Sequence, residues 1–246
     1  ITVGPEILLG DILNTNCRYL SRELAAMGIE MYYQITVGDN EERLLKTLEE
    51  SLNRSDIVIC TGGLGPTEDD LTKEVCAEVM GLPLSEDPHS RKRIERYMKE
   101  YQKNHPDRRV TSNNYKQAQV PEGAIVLDNH NGTAPGLILE KNGKTAILLP
   151  GPPNELIPMF EEAVSPYLRK KQPEIIFSQV VKICGIGESQ VAADIQDMIE
   201  AQTNPTLAPY AKTGEVHLRI TAKGEDEKAC KKLIKPVVKE LKKRFG

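Results

Sequence analysis

The stretch TGGLGPTEDDLT, Thr61 to Thr72, follows the apolar run Ile57, Val58, Ile59, Cys60 and leads into a pattern of helical period. That order reads as the turn between a covered strand and a helix. Gly62, Gly63 and Gly65 can bring backbone N–H groups close to a ligand, because no Cβ stands in the way. An anion suits such a turn. Asp69 and Asp70 at the mouth of the helix do not suit a bare phosphate, which two carboxylates repel unless a cation lies between. Glycine backbone with paired acids therefore points to phosphate plus a divalent metal. The structural alternative is that Thr67, Asp69 and Asp70 cap the helix, as residues of these types do. With neither the Lys-Ser/Thr pair of a P-loop nor GxGxxG spacing, the stretch does not predict P-loop ATP hydrolysis.

Outward from this turn, strands alternate with helices, which predicts right-handed crossovers and an α/β fold on a mostly parallel sheet in three layers. Upstream, Ile1 to Gly4 reads as a strand end, with a few residues expected to be missing before it. PEILLGDILNTN reads as a loop, and the helix from about Cys17 to Met27 has Cys17, Leu20, Leu24 and Met27 on its apolar face. Asn14 at its start either caps that helix or lines a site at the strand's carboxyl end. Ile29 to Val37 is the second expected strand, ended by Gly38, Asp39 and Asn40. A helix follows with Leu44, Leu45, Leu48 and Leu52 on one face. Asp39 either caps this helix or stands where open α/β sheets bind ligands; in the second case it shares a crevice with the glycine turn. Asp56 to Cys60 is the third strand.

Downstream, a helix carrying Leu71, Val75 and Val79 stops at Gly81 and Pro83. Pro88 to Asp107, rich in Arg, Lys and Glu, predicts an exposed helix. In TSNNYKQAQVPEGA, Asn113, Asn114, Lys116 and Gln117 sit on a short helix before a strand near Ile125 to Leu127; Lys116 can neutralise a phosphate as a point charge. NGTAPG at 131–136 and LPGPPNEL at 149–156 flank the strands Leu137 to Glu140 and Thr145 to Leu149, and prolines open a helix from Pro153 to Leu168. Three such turns exceed what chain reversal requires. KKQPE, Lys170 to Glu174, is the expected linker. Beyond it, Ile175 to Cys184 is a strand, GIGESQ opens a helix to about Ile199, TLAPYA and EVHLRITA are strands, and Glu225 to Phe245 is a helix striped by Ala229, Leu233, Val237, Leu241 and Phe245. Pro205 and Pro209 bracket the first of those strands, and Lys212 to Gly214 make a hairpin turn. This order suits a small α+β sandwich.

Composition narrows the class. Of 246 residues, 39% are hydrophobic and 28% charged, ordinary for a globular chain. No apolar run approaches the roughly 20 residues that span a bilayer, and no signal-peptide pattern opens the chain, so a cytoplasmic protein without membrane contact is expected. Cys17, Cys60, Cys76, Cys184 and Cys230 are odd in number and scattered, as in a reduced chain. His89, His105, His130 and His217 stand apart, so any metal should be a hard ion on oxygen ligands rather than tetrahedral zinc. A net charge of −4 argues against nucleic acid as a partner. The basic last helix keeps RNA binding only as an alternative, against the reading that its lysines solvate an outer face.

Together, GPEILLGDILNTN, VGDNEERL, TGGLGPTEDDLT, NNYKQA, NGTAPG and LPGPPNEL resemble the N-terminal region of the CinA family of competence- and damage-inducible proteins, and TLAPYAKTGEVHLRITAKG resembles that family's small KH-like domain. The resemblance implies a molybdopterin-binding-like nucleotide and metal domain over 1–170 and a KH-like domain over 175–246. It implies an ADP-ribose pyrophosphatase, using Mg2+, Co2+ or Mn2+ to cut ADP-ribose into AMP and ribose 5-phosphate, and a homodimer. Nothing in the chain matches the amidase domain into which many members continue. Pro5 stands where the family has Thr or Ser. By motif, Asp39 and Asp70 fall where related molybdopterin adenylyltransferases handle metal and phosphate.

The expected site follows. Asp39, Asp70 and Lys116 are catalytic, and Asp39, Asp70, Asp69 and Glu6 hold the metal directly or through water. Gly62, Gly63, Gly65 and Thr67 meet a phosphate, Asn14 and Asn113 are polar neighbours, and Gly132, Thr133 and Gly151 shape the nucleotide pocket. Tyr210, Lys212 and Arg219 approach the substrate from the small domain. Nucleotidyl transfer to a pterin is the alternative within enzymes.

Overall fold

A computed structural model describes residues 1–107, 111–172 and 174–246. Pro173, in the expected linker, lies outside them. In chain order the elements are β1 (Thr2–Val3), α1 (Pro5–Leu8), α2 (Thr15–Ala26), β2 (Thr36–Val37), α3 (Glu41–Arg54), β3 (Ile57–Thr61), α4 (Thr72–Val79), β4 (Leu84–Glu86) and α5 (Pro88–Asn104). A 3-10 turn (Ser112–Ala118), β5 (Gln119–Pro121), β6 (Ile125–Leu127), β7 (Gly136–Lys141), β8 (Lys144–Leu149), α6 (Pro153–Met159), a π turn (Phe160–Val164) and α7 (Ser165–Lys171) follow. The chain ends with β9 (Ile175–Cys184), α8 (Glu188–Asp194), α9 (Gln196–Glu200), β10 (Thr206–Lys212), β11 (Glu215–Gly224) and α10 (Glu227–Phe245). Two compact units emerge: Ile1–Leu20 with Tyr32–Tyr167, and Ser21–Met31 with Leu168–Gly246. No helix of the described residues is long and apolar enough to cross a membrane.

The first unit is built on a six-stranded sheet in the order β2-β1-β3-β8-β7-β6. Pairs β2–β1, β1–β3 and β3–β8 are parallel, while β8–β7 and β7–β6 are antiparallel. Five strands therefore point one way and β7 alone runs against them. The reversal occurs across Asn142 and Gly143, both at positive φ (52° and 76°), a conformation suited to a two-residue hairpin turn. β8 is buried from Thr145 to Leu149 and β7 from Gly136 to Leu139, as expected of strands covered on both faces. Leu44, Leu48 and Leu52 of α3 and Val75 and Cys76 of α4 join Val58, Cys60, Leu137 and Leu148 in one core.

The expected second strand shrinks to two residues. β1 offers only Thr2 and Val3 for pairing, so the ladder between β1 and β2 is two residues long, and Tyr32 and Tyr33 before it are exposed. The segment PEILLGDILNTN is not all loop, because Pro5 opens the single turn of α1. Nor does Asp39 cap α3; Asn40 does, its side chain accepting from Arg43 N.

In the second unit β10-β11-β9 form an antiparallel sheet covered by a core of Val216, Leu218, Ile220, Val191, Ile195, Cys230, Ile234 and Leu241. The apolar stripe of α10 is Cys230, Ile234 and Leu241 with Val237, Val238 and Phe245 beside them, and Leu233 is 37% exposed. A strict spacing of four drifts around a helix of 3.6 residues per turn, so of the expected set Val237, Leu241 and Phe245 reach the core while Leu233 lies off it, and Cys230 and Ile234 take the buried places in the first turns. Pro209 lies inside β10 opposite Leu218 rather than bracketing it, tolerated because β10 is an edge strand. The helix expected to run to Ile199 breaks at Ile195 into α8 and α9.

Arg244 ties α10 to α9 through a two-pronged pair: Nη1 to Asp197 Oδ1 at 2.6 Å and Nη2 to Oδ2 at 2.7 Å. This guanidinium holds the Asp197 carboxyl down at about 2. A carboxyl pKa depressed by folding contributes stability above its unfolded value, and that contribution is lost as pH falls through the folded one. Asp197→Asn should therefore unfold at lower urea than the parent near neutral pH, with the difference closing between the ordinary 3.8 and about 2. Equal midpoints at neutral pH would show that the pair contributes nothing.

A candidate active-site crevice at the carboxyl edge of the sheet

Because β7 is reversed, β6 runs parallel to β1, β2, β3 and β8, and all five have their carboxyl ends at one edge. Open α/β sheets bind ligands at that edge. The turns leaving those ends line one cavity of about 430 Å³. Glu6 follows β1, Asp39 follows β2, and Gly62, Gly63, Gly65 and Asp70 follow β3. Gly132 and Thr133 follow β6, and Gly151 follows β8.

The glycine turn has a different internal logic from the one expected. Gly62 (φ 93°) and Gly63 (φ 67°) both take left-handed backbone conformations. The N–H of Gly62 donates to Leu149 O at 3.0 Å, so it serves the sheet and not a ligand. A Cβ at Gly62 would sit on the Val3 carbonyl oxygen, and one at Gly63 on the Thr72 hydroxyl. That buried hydroxyl donates to Gly62 O at 2.9 Å and ties α4 to the turn. Gly65 makes room for the Asp70 carboxylate. Asp70 does not cap α4, whose N-cap position is Leu71 without a side-chain bond; its Oδ2 accepts from Thr67 N at 3.0 Å and from the Thr67 hydroxyl.

Lys116 lies outside the cavity lining. Its Nζ donates to the carbonyls of Thr67 (2.8 Å) and Asp70 (2.6 Å), so its charge supports the turn from behind. Lys73, buried, donates to Lys116 O at 2.7 Å and pairs with Glu74 at 3.3 Å. Burial pushes its ammonium below the ordinary value while Glu74 opposes that shift.

The acids of the crevice press on one another. Partial burial first, then Asp69, Glu6 and Asp70, hold the Asp39 carboxyl above its ordinary range, although the residue is exposed at the rim. Asp69, fully exposed, is held below its range chiefly by the Thr67 hydroxyl. Among the described residues no three His, Cys, Asp or Glu side chains converge closely enough to hold a metal ion unaided. Asp39, Asp70 and Glu6 as cavity-lining oxygen donors fit a magnesium-like ion, which is usually held by one or two carboxylates, water and substrate phosphates.

Other expected residues lie elsewhere. Asn14 accepts from Cys17 N at 3.0 Å and donates to the Thr2 hydroxyl at 2.9 Å, which is the capping alternative. Asn113 is exposed on the 3-10 turn, and neither it nor Thr67 or Asp69 lines the cavity. Tyr210, under the Arg219 guanidinium at 5.1 Å, and Lys212 belong to the second unit.

Sequence reasoning missed Glu155, Tyr97 and Asn131, all cavity-lining. Glu155 is half-buried in the first turn of α6, raised by burial and opposed by a hydrogen bond of 2.6 Å from Asn129 Nδ2. Its signal was available: an acid opening a helix just after a Gly/Pro turn, as at Asp70. Gln117, also lining the cavity, donates to Leu64 O at 3.3 Å, and its buried Oε1 has no hydrogen-bond partner among the described residues.

Two stability outcomes follow from this geometry. Thr72→Val keeps the shape but leaves the Gly62 carbonyl unpaired, and should cost about 1–3 kcal/mol in urea unfolding. A cost near zero would mean that the hydroxyl does not hold the turn. Asp39→Asn should act in the opposite direction. A carboxyl raised by folding is disfavoured in its charged form, so removing the charge should raise the urea midpoint at neutral pH, and the gain should fade as pH drops through the raised value. A lower midpoint at neutral pH would refute the crowding of acids.

A family model for a probable molybdopterin binding domain matches residues 1–170, and one for the KH domain of damage-inducible protein CinA matches 178–246. A CinA-like protein of Dictyoglomus turgidum is 54% identical over 246 residues, covering all of this chain and 59% of the relative. A Clostridium beijerinckii relative, named for competence-damage induction, is 56% identical over the same span and likewise covered to 59%. The chain thus spans about three-fifths of the length of these relatives. Among solved structures, the protein CinA from Thermoplasma acidophilum, described as of unknown function, is 33% identical with a TM-score of 0.58, over 67% of this chain and 94% of that one. With the molybdopterin-binding-type domain and the KH domain in this order, the chain belongs to the CinA family.

Proposed function

We propose that the crevice hydrolyses a nucleoside diphosphate sugar, ADP-ribose being the substrate implied by the CinA resemblance, to AMP and ribose 5-phosphate. The observation that carries this reading is the gathering of Glu6, Asp39 and Asp70 with the glycine turns in one cavity, where partial burial and then the neighbouring acids raise Asp39. Carboxylates held together without a neutralising lysine favour a cation, and the glycine turns leave backbone room for phosphate. Asp39, Asp70 and Glu6 would hold a divalent ion, which when bound would screen the pyrophosphate and acidify a water. As a P–O bond of the pyrophosphate breaks, the proton of the attacking water would pass to a carboxylate of this group that is not bound to the ion. Glu155, half-buried and lining the same cavity, would offer its carboxylate to sugar hydroxyls.

Purified protein with Mg2+, Co2+ or Mn2+ should release AMP from ADP-ribose, and a chelator should stop it. Asp39→Asn and Asp70→Asn should each lower turnover by about two orders of magnitude or more, the scale expected when a charged group acts in the transition state. Intact ADP-ribose under all three metals would reject hydrolysis. The matched molybdopterin-binding domain favours one second reading, nucleotidyl transfer to a pterin dithiolene, which would consume ATP and molybdopterin and leave ADP-ribose whole.

A further inference from the structure

Beside the crevice lies a smaller cavity of about 140 Å³, which shares Tyr97, Gly132 and Thr133 with it. Its walls carry Arg93, Arg96 and His130, with Glu100 as its carboxylate. Arg93 and Arg96 stand three residues apart on α5, where like charges repel one another unless something neutralises them. Arg93 is fixed as a wall: its Nη1 lies 3.2 Å from Asp128 Oδ1 and its Nη2 donates to the Asn129 carbonyl. His130 has Glu162 at 3.6 Å. Arg96 differs. Among the described residues it makes no ion pair or hydrogen bond, although Glu100 stands one helical turn on.

Arg96, unpaired among the described residues, shares the alcove with Arg93, His130, Tyr97 and Thr133 against one lining carboxylate, Glu100, so basic groups outnumber acidic ones there. A phosphate monoester supplies what is missing: oxygens that match the guanidinium fork and nearly two negative charges. We propose that this alcove is an anion subsite that takes a phosphate monoester carried by the nucleotide in the crevice, so that the substrate class extends to nucleotides bearing a phosphate besides the pyrophosphate. The proposal rests on the reading of the crevice as a nucleotide site. It assigns Arg96 as the group that selects such ligands, and Glu100 as the charge that weakens them.

The test is calorimetric binding to the whole chain in Mg2+ of AMP, adenosine 2′,5′-bisphosphate and adenosine 3′,5′-bisphosphate. At least one bisphosphate should bind about tenfold or more tightly than AMP, the scale of one charge-assisted contact. In Arg96→Gln, a change at an exposed position, the ratio of the two affinities should fall to about one. Glu100→Gln should raise it. No advantage in the parent protein, or one that survives Arg96→Gln, overturns the subsite. The two readings fail separately: ADP-ribose left intact with the bisphosphate advantage present removes hydrolysis and keeps the alcove, whereas AMP release without that advantage does the reverse.

Discussion

The turn after β3 exists only because Gly62 and Gly63 leave room for two atoms that a side chain would displace, the Val3 carbonyl oxygen and the Thr72 hydroxyl. The first lets β1 lie against β3 at their carboxyl ends. The second draws the start of α4 back onto the turn. Gly62 N bonding to Leu149 O adds the end of β8, and a Cβ on Gly151 would come within 3.5 Å of Gly62 Cα. Three strand ends and a helix start are thereby drawn to one point, and the crevice is the space left in front of it.

Charge is distributed around that point in a lopsided way. The nearest lysines, Lys73 and Lys116, are bonded to backbone carbonyls behind the turn, while Glu6, Asp39 and Asp70 face the cavity in front. Had Lys116 faced the cavity, it would have neutralised Asp39 and lowered its proton affinity. The arrangement therefore keeps an unfavourable concentration of like charge on the open side, stabilised elsewhere by the core around Leu137 and Leu148. Groups that perturb one another in a cleft are characteristic of functional sites.

Much of this was legible in the sequence, and the reason differs by feature. Continuous apolar runs placed β3 and β8 within a residue or so of where they lie, because strands in the middle of a covered sheet leave an unambiguous pattern. Strand-end turns marked by glycine and proline brought Gly62, Gly63, Gly65, Asp39, Asp70, Gly132, Thr133 and Gly151 to one cavity, since topology alone carries them there. Side-chain direction was not legible. Lys116 reads as a phosphate ligand until its partners are seen, Asn40 and Asp39 are equal as caps until the backbone selects one, and Tyr97 and Glu155 enter the site from helices read only as surface or packing. The stripe of α10 was right at Val237, Leu241 and Phe245 and one residue off in the first turns, where Cys230 and Ile234 are the buried positions, because a count in fours drifts on a helix of 3.6 residues per turn.

The lone reversed strand also shapes how such a chain can be assembled. The β7–β8 hairpin joins Lys141 to Lys144, and β6 pairs with β7 just upstream, so this meander closes small loops at little entropic cost. The parallel pairings are remote: β3 meets β8 at Ile57 and Thr145, and β1 meets β3 at Thr2 and Thr61. Contacts so distant along the chain are the slow ones to form. Both sides of the crevice draw on them, so the ligand site is complete only when the last and most distant pairings have closed, and a bound ligand would stabilise the whole first unit rather than any one element of it.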